Sequence, residues 1–509
     1  MKLISRSLLG FFSVLVAALA ISIIFHLTSW GKDAGPAIKV DTTALERSPQ
    51  LGTSFAPVVK KVAPSVVNIY STHIIHMRPL RGPFFDDPMF QQFRQFFGDQ
   101  FGLNDNREIT RRQQSLGSGI IVSPDGYVLT ANHVVEGADE IKVAVGDSDS
   151  KKFTAKVVGT DPATDVAVLK IDAKDLPAIT LGDSDQLEVG DVVLAVGNPY
   201  GLGQSVTMGI ISGLGRHYQE MGGYQNFIQT DAAINKGNSG GALVDASGRL
   251  IGINTWIASS SGGSEGVGFA VPINLARHVM GRLISGGKVI RGYLGVFPQD
   301  VTPDLAEAFN LPDQNGALVG DVETNTPAQA AGIKSGDVIT EINGQKVTDA
   351  NGLRLVVSDL APGTKVSVKL IRNGHEKTVA VALAELPGQT VEKEKGQSGS
   401  GPANSKTDAL DGVTVADLDQ DARQELRLPD NLQGVVVTEV DPDSNSADAG
   451  LQKHDVIVEI NHHPIPDADR AVEFCKQARG NQILLKIWRR GSGLAGTLYL
   501  SVDNTPNPK

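Results

Sequence analysis

The run Gly237-Asn238-Ser239-Gly240-Gly241 sets a serine between glycines, a short way past the β-rich residues 227–229. Glycine lets successive backbone N–H groups point at one spot and leaves the hydroxyl unobstructed, as a turn that stabilises an oxyanion requires. An ordinary turn can look the same, and a serine hydroxyl is barely nucleophilic at neutral pH. The run gains chemical meaning only if the chain also supplies a base and a carboxylate to hold that base.

Both have candidates upstream. Of ten histidines, His133 follows Tyr127-Val128-Leu129-Thr130-Ala131-Asn132, a strand end running into a turn that would hold an imidazole rigidly; a histidine there can equally be structural. Asp165 immediately precedes Val166-Ala167-Val168-Leu169 and so stands at the mouth of a buried strand, whereas nearby Asp161 and Asp172 read as solvated. A carboxylate so placed can orient the ring and stabilise the imidazolium. The order His133, Asp165, Ser239 is that of the chymotrypsin fold, while subtilisin and the α/β-hydrolases use other orders.

The surrounding pattern is β-rich. A first strand reads at 66–70, and short apolar runs recur at 119–122, 127–131, 141–145, 166–171, 192–196, 206–211, 227–229, 242–244 and 250–253, separated by Gly, Asp and Asn turns. About a dozen short strands in one domain imply a closed or sandwiched β architecture. Residues 273–284, entered at Pro272 and stopped by Gly286-Gly287, read as a helix. Between residues 75 and 112 the pattern breaks into a long loop carrying seven phenylalanines (Phe84, Phe85, Phe90, Phe93, Phe96, Phe97 and Phe101). A loop this greasy must cover its apolar surface, either on its own domain or on a neighbouring subunit, where it would gate the site.

Bulk properties bound the rest. The 509 residues exceed one hydrophobic core, and a net charge of −11 disfavours nucleic acid as a partner. Lys2 and Arg6 precede an apolar stretch over residues 8–27, an export signal long enough to be either a cleaved peptide or a retained membrane anchor. The single cysteine, Cys475, excludes an intramolecular disulfide, so an exported chain of this kind relies on packing, which favours a bacterial envelope. Residues 316–347 align without gaps onto 434–465, with Asp337-Val338-Ile339-Thr340-Glu341-Ile342-Asn343 recurring as Asp455-Val456-Ile457-Val458-Glu459-Ile460-Asn461. Two copies of one module, separated by a Gly, Ser, Pro, Lys and Glu-rich stretch over 385–407, are tandem domains on a flexible linker.

From about Phe55 onward the chain resembles the HtrA/DegP family of bacterial envelope serine proteases, in its three motifs, its long aromatic loop and its two C-terminal PDZ-like copies. The resemblance implies a mainly β protein: a chymotrypsin-like double β-barrel followed by two PDZ domains. The layout it suggests is a signal peptide or anchor (1–30), a linker (31–54), the protease domain (55–288) with its loop at 75–112, PDZ domains at 289–385 and 409–505, and a linker at 386–408. It implies ATP-independent degradation of misfolded periplasmic proteins, with Ser239 as nucleophile, His133 as general base and then acid, and Asp165 as the orienting carboxylate. The N–H groups of Gly237 and Ser239, with Asn238 between them, would form the oxyanion hole. Thr255-Trp256-Ile257 would line the substrate, although Trp256 is bulkier than expected there. No metal and no cofactor are expected.

Ala233, six residues before Ser239, stands where trypsin-like enzymes carry a pocket carboxylate, so cleavage after small aliphatic residues is expected. Tyr293-Leu294-Gly295-Val296 resembles a PDZ loop that aims N–H groups at the carboxylate of a C-terminal peptide. In the second copy, Asp411-Gly412-Val413-Thr414-Val415 lacks a glycine at the position aligned with Gly295, so peptide binding and assembly contacts are both open there. Expected partners are unfolded proteins and exposed C-terminal peptides, in a homotrimer or larger homo-oligomer with an inner-membrane anchor as one option. Competing readings are a chaperone or peptide-binding scaffold with minor proteolysis, and an anchored signalling protease that cleaves one regulator.

Overall fold

The computed structural model describes residues 36–44, 54–77, 109–146, 151–197, 204–218, 223–261, 263–387, 407–410, 412–477, 482–490 and 495–505. The chain falls into two compact units, Met1–Arg216 with Asn226–Lys288, and His217–Gln225 with Val289–Lys509.

Among the described residues, the first unit holds twelve strands. β1 (Val66–Met77), β2 (Ile109–Ile121), β3 (Tyr127–Ala131), β4 (Glu140–Val145), β5 (Lys151–Asp161) and β6 (Val166–Ile171) close one barrel in the order β1-β2-β3-β6-β5-β4. β7 (Val192–Gly197), β8 (Ser205–Arg216), β9 (Phe227–Thr230), β10 (Ala242–Asp245), β11 (Leu250–Ile257) and β12 (Gly268–Pro272) close a second with the same connectivity, β10-β11-β12-β9-β8-β7. Closure leaves neither barrel a free edge. Each interior is filled by branched aliphatic side chains: Val67, Ile69, Val128, Val143 and Leu169 in the first, Val193, Ile211, Ile228, Leu243 and Ile251 in the second. At roughly 1.5–3 kcal/mol for each fully buried Val, Leu or Ile, burial of this extent holds the barrels without a cross-link. This is the double barrel that the motif order implied.

Sequence and structure part at several points. The β1–β2 ladder extends to the pair Met77↔Ile109, taking residues 75–77 and 109–112 from the two ends of the expected loop, and the phenylalanine-bearing residues 78–108 lie outside the described residues. β5 has no counterpart among the expected strands, because most of its side chains are exposed and its lysines hide the apolar alternation. Asp161, expected in solvent, is 4 % exposed and accepts the Thr164 hydroxyl. The helix α1 (Ile273–Gly286) runs to Gly286 and ends on Gly287, whose left-handed φ of 70° lets its N–H reach the Leu283 carbonyl at 2.9 Å. Leu283 and the Gly287 carbonyl lie against Gly159, where a Cβ would come within 2.8 Å of Leu283, so any larger residue would have to displace that side chain.

Part of the segment read as a linker is also ordered. Val40 bridges Leu181 in parallel, and Leu181 bridges Leu250. Arg249, buried and paired with Asp245 at 2.7 Å, donates to the Thr43 carbonyl at 2.5 Å, so the short strand is pinned by a charge-assisted hydrogen bond. The apolar N-terminal stretch lies outside the described residues, among which no helix is long and apolar enough to cross a membrane.

The second unit contains the repeat. In the first copy β13 (Gly292–Tyr293) pairs with β20 (Ala384–Glu385), and β14 (Val296–Asp300), β15 (Ala317–Val322), β16 (Val338–Ile342), β18 (Lys365–Arg372) and β19 (His375–Ala382) form a sheet in that order, with β17 (Gln345–Lys346) beside β16. In the second copy β21 (Thr407–Leu410), β22 (Val413–Asp417), β23 (Val435–Val440), β24 (Val456–Ile460), β26 (Gln482–Arg490) and β27 (Ala495–Asp503) follow in order, with β25 (His463–Pro464) beside β24. Each copy packs one longer helix on its sheet, α2 (Ala350–Asp359) and α3 (Ala468–Gln477). The helices are entered alike: Asp300 accepts the Ala350 N–H at 2.9 Å, and Asp417 accepts that of Ala468 at 2.7 Å. A buried bidentate pair also recurs, Arg372 on Asp337 and Arg489 on Asp455. The copies touch: the Gln299 amide donates to the Tyr499 carbonyl at 2.9 Å and accepts the Tyr499 N–H at 2.7 Å.

Candidate active site and peptide-binding loops

β3 ends at Ala131, and residues 132–135 turn through one helical turn that carries His133 outward, its side chain half-exposed. Opposite it, Asp165 occupies the left-handed region at φ 55°, an uncommon place for a non-glycine residue, and its carbonyl accepts the Asn132 N–H at 3.1 Å. That conformation turns the carboxylate back onto His133. One oxygen accepts the His133 backbone N–H at 2.9 Å, and the other lies 2.8 Å from Nδ1. A carboxylate on Nδ1 selects the Nδ1–H tautomer and leaves Nε2 as the proton acceptor.

A third donor completes the carboxylate's shell, the Thr255 hydroxyl. Burial raises the Asp165 carboxyl, but its bonds to His133 and Thr255 outweigh burial and hold it below the usual range, so it stays charged. Burial likewise works to lower His133, and the hydrogen bond and charge of Asp165 prevail, leaving the imidazole more basic than usual.

Ser239 reaches this site from the second barrel. Gly237 and Gly240 flank it at φ 101° and 80°, and a Cβ on Gly240 would sit 2.2 Å from the Ser118 carbonyl and from the Thr130 hydroxyl. Ser118 of β2 holds the turn across the barrel boundary: its N–H donates to the Ser239 carbonyl at 2.9 Å and its hydroxyl to the Gly237 carbonyl at 2.6 Å. Within the run, the N–H groups of Asn238, Gly240 and Gly241 are taken by the Asn235, Asn254 and Asn238 carbonyls. Those of Gly237 and Ser239 meet no acceptor among the described residues. Two such N–H groups beside the serine oxygen are what a developing oxyanion needs. Asn238 itself is buried, with its N–H spent on the turn.

The Ser239 hydroxyl donates to the Thr255 carbonyl at 3.2 Å, and in this state no hydrogen bond joins it to His133. Catalytic contacts of this kind often tighten only when substrate binds. Thr255 thus touches two members of the constellation, with its hydroxyl on Asp165 and its carbonyl on Ser239. Sequence reasoning placed it in the substrate-lining segment and missed the contact to Asp165. Of its neighbours, Trp256 stacks on Phe269 with centroids 4.9 Å apart, and Ile257 packs on the second barrel's core. The Ala233 carbonyl accepts the Thr207 hydroxyl at 2.8 Å.

A further brace escaped the sequence. The Asn235 side chain accepts the Ser264 N–H at 3.0 Å while its carbonyl accepts that of Asn238, tying the loop after β11 to the turn before Ser239. That loop is gathered around Glu265, which accepts hydrogen bonds from Ser259, Ser260 and Ser261. These bonds, the Ser261 hydroxyl and N–H foremost, pull its carboxyl down to about 2. The visible signal was a Ser-Ser-Ser run followed by a lone glutamate.

In the first repeat copy Gly295 has φ 82°, and a Cβ there would lie 2.3 Å from Thr326. The Leu294 and Gly295 carbonyls accept the Ala328 and Glu323 N–H groups at 2.9 and 3.0 Å, whereas their own N–H groups meet no acceptor among the described residues. Val296 then opens β14, the terminal strand of its sheet. Donors beside an open strand edge suit the carboxylate and backbone of a C-terminal peptide. Tyr293 stands next to them; burial, and Glu323 hydrogen-bonded to its phenol, push its ionisation well above the ordinary range.

The second copy requires a correction. Its Gly412, at φ 68°, occupies the place of Gly295: a Cβ would meet Ser444 at 2.6 Å, as on Gly295 it would meet Thr326, and its carbonyl accepts the Asp441 N–H at 2.8 Å, as that of Gly295 accepts Glu323. The β22–β23 register, with a shift after Thr414, matches that of β14–β15 with a shift after Phe297. The stretch from Asp417 to Gly434 is one residue longer than that from Asp300 to Gly316, so the gap-free alignment slips by one before it reaches the loop.

Comparison with known proteins agrees along the chain. Residues 117–253 match the family described as trypsin-like peptidase domain, and residues 292–383 and 403–488 match PDZ domain families. A Halomonas elongata protein named probable periplasmic serine endoprotease DegP-like is 40 % identical over 456 residues, covering 88 % of this chain and 93 % of that one. A protein of the same name from Pseudomonas putida is 42 % identical over 443 residues, covering 86 % and 91 %. Among solved structures, the HtrA-type protease AlgW with decapeptide is 46 % identical with a TM-score of 0.53, covering 66 % of this chain and 100 % of that one. The same protease with tripeptide is 44 % identical with a TM-score of 0.54, covering 66 % and 99 %.

Proposed function

Since the chain belongs to the family of DegP-like periplasmic serine endoproteases, we propose that it degrades unfolded envelope proteins without nucleotide, with Ser239 as its nucleophile. The enzyme is a serine endopeptidase with a trypsin-like peptidase domain and two PDZ domains. His133 Nε2 takes the Ser239 proton as the oxygen attacks the scissile carbonyl, then returns it to the leaving amine. Asp165 keeps the ring in the productive tautomer and balances the imidazolium, while the Gly237 and Ser239 N–H groups receive the oxyanion. The observation that carries this reading is the doubly hydrogen-bonded Asp165–His133 pair beside those two free donors.

Ala233 and the segment Thr255-Trp256-Ile257 bound the pocket for the side chain preceding the cut, and Ala233 offers no charge to a basic one. Cleavage after Val or Ala follows. Sequencing the fragments of a reduced, unfolded substrate digested without ATP tests it: cuts after small aliphatic residues are expected, and dominant cutting after Lys or Arg would refute the pocket assignment.

The PDZ1 loop Tyr293-Leu294-Gly295-Val296 captures exposed C-termini, and the active form is a homotrimer or a larger homo-oligomer. The N-terminal apolar stretch directs export to the periplasm and, if retained, anchors the enzyme to the inner membrane. The mass of the mature protein decides its fate: loss of the first ~20–30 residues identifies a cleaved leader, and the full-length mass an anchor.

A further inference from the structure

The two PDZ copies differ in one respect that their shared fold does not require. In the first, the residues entering the carboxylate-binding loop, Gly292–Tyr293, pair with Ala384–Glu385, and among the described residues no strand pairs with the outer edge of β14. In the second, the entering residues Thr407–Leu410 fold back onto β22, with the pairs Thr407↔Val415, Asp408↔Thr414 and Leu410↔Val413. They occupy the edge that corresponds to the open edge of β14. They run antiparallel to β22 and end at the Gly412 turn, as the last residues of a captured peptide would.

The segment also lies against α3, the helix that corresponds to α2 of the first copy. Leu410 is 5 % exposed and belongs to one buried cluster with Val413 and Val415 of β22 and Ala468, Ala471 and Cys475 of α3. A short, apolar-ended, antiparallel strand therefore sits between the second copy's edge strand and its helix, against a turn built like the one at Gly295.

We infer that PDZ2 holds a second site for C-terminal peptides, filled by the chain's own residues Thr407–Leu410, which a ligand must displace. The ligand class is a peptide with a free carboxylate and an apolar last residue, extended over about four residues to match the β21 pairing. The inference rests on the peptide-binding reading of the PDZ1 loop for its chemistry. Its geometry stands on β21 and β22 alone. Displacement opposes binding, so PDZ1 fills first and PDZ2 responds only to abundant C-termini.

The test uses the full-length Ser239→Ala protein and a synthetic decapeptide ending in Val, with stoichiometry from calorimetry and backbone protection from hydrogen exchange. The parent is expected to bind one peptide per chain and to protect the amides of residues 413–415 without peptide. Asp408→Pro, which fixes the backbone of the segment away from extended ladder geometry, should bind two per chain, and its 413–415 amides should exchange at least tenfold faster until peptide is added. The milder pair Thr407→Gly and Asp408→Gly should shift both readouts the same way, and unchanged protection over Val435–Val440 shows that PDZ2 remains folded. Two peptides bound by the parent, or one bound by the opened variants without a change at 413–415, would overturn the inference. Should the parent bind none, the PDZ1 reading fails, while peptide-dependent protection at 413–415 in the opened variants still decides PDZ2.

Discussion

Ser239→Ala is expected to abolish turnover of unfolded casein, with a fall of about a million-fold in kcat, while the protein still binds the substrate. The size follows from how the members of the constellation depend on one another. Without the hydroxyl, the basic His133 has no proton to take and no oxyanion develops for the Gly237 and Ser239 N–H groups to stabilise, so only positioning and electrostatics remain. Removing Oγ also releases the Thr255 carbonyl from a single long, part-buried contact at 3.2 Å, so stability should change by no more than about 1 kcal/mol. Proteolysis lost with binding retained identifies Ser239 as the nucleophile. Residual activity within tenfold of the parent, or a parent protein that binds casein without cutting it, would refute the assignment.

Asp165→Asn should lower kcat by about 10⁴-fold with the fold intact. Asparagine keeps an oxygen for the His133 backbone N–H or the Thr255 hydroxyl, but its NH₂ can donate to Nδ1 and so favours the tautomer with its proton on Nε2, which cannot accept from serine. The pH profile gives a second readout. In the parent, His133 is more basic than its ordinary value, and the base is competent only when neutral, so kcat/KM should rise with pH through an inflection above about 6.5. Without the carboxylate, burial is left to lower the imidazole, and the inflection should move to lower pH even as the plateau falls. An unchanged inflection would mean that Asp165 does not set the basicity of His133.

The constellation was legible because each member is bound to local sequence: a glycine-flanked serine, a histidine at a strand end, an aspartate before an apolar run. The barrels were legible for the same reason, since β3, β6 and β7 are buried almost throughout and read as apolar runs. β5 was not, because a strand with most side chains in solvent carries no apolar alternation. Thr255 on Asp165 and Ser118 across the barrel boundary were invisible because both join residues far apart in the chain. The PDZ2 loop misled for a different reason. One inserted residue between Asp417 and Gly434 is harmless to the fold but shifts every position before it, and the equivalence is restored by the left-handed turn at Gly412 together with its contacts and the strand register.

The strand pinned by Arg249 bears on where this enzyme can work. Only eleven residues, 28–38, separate the end of the apolar stretch from Lys39, whose carbonyl pairs with Leu181. Even fully extended they reach about 40 Å. A retained anchor would therefore act as a short leash, confining the barrels to a shell of envelope next to the bilayer and favouring substrates that emerge there. Removal of the stretch would free the enzyme to patrol the whole compartment, with the catalytic fold indifferent to the change because the docked strand stays in place.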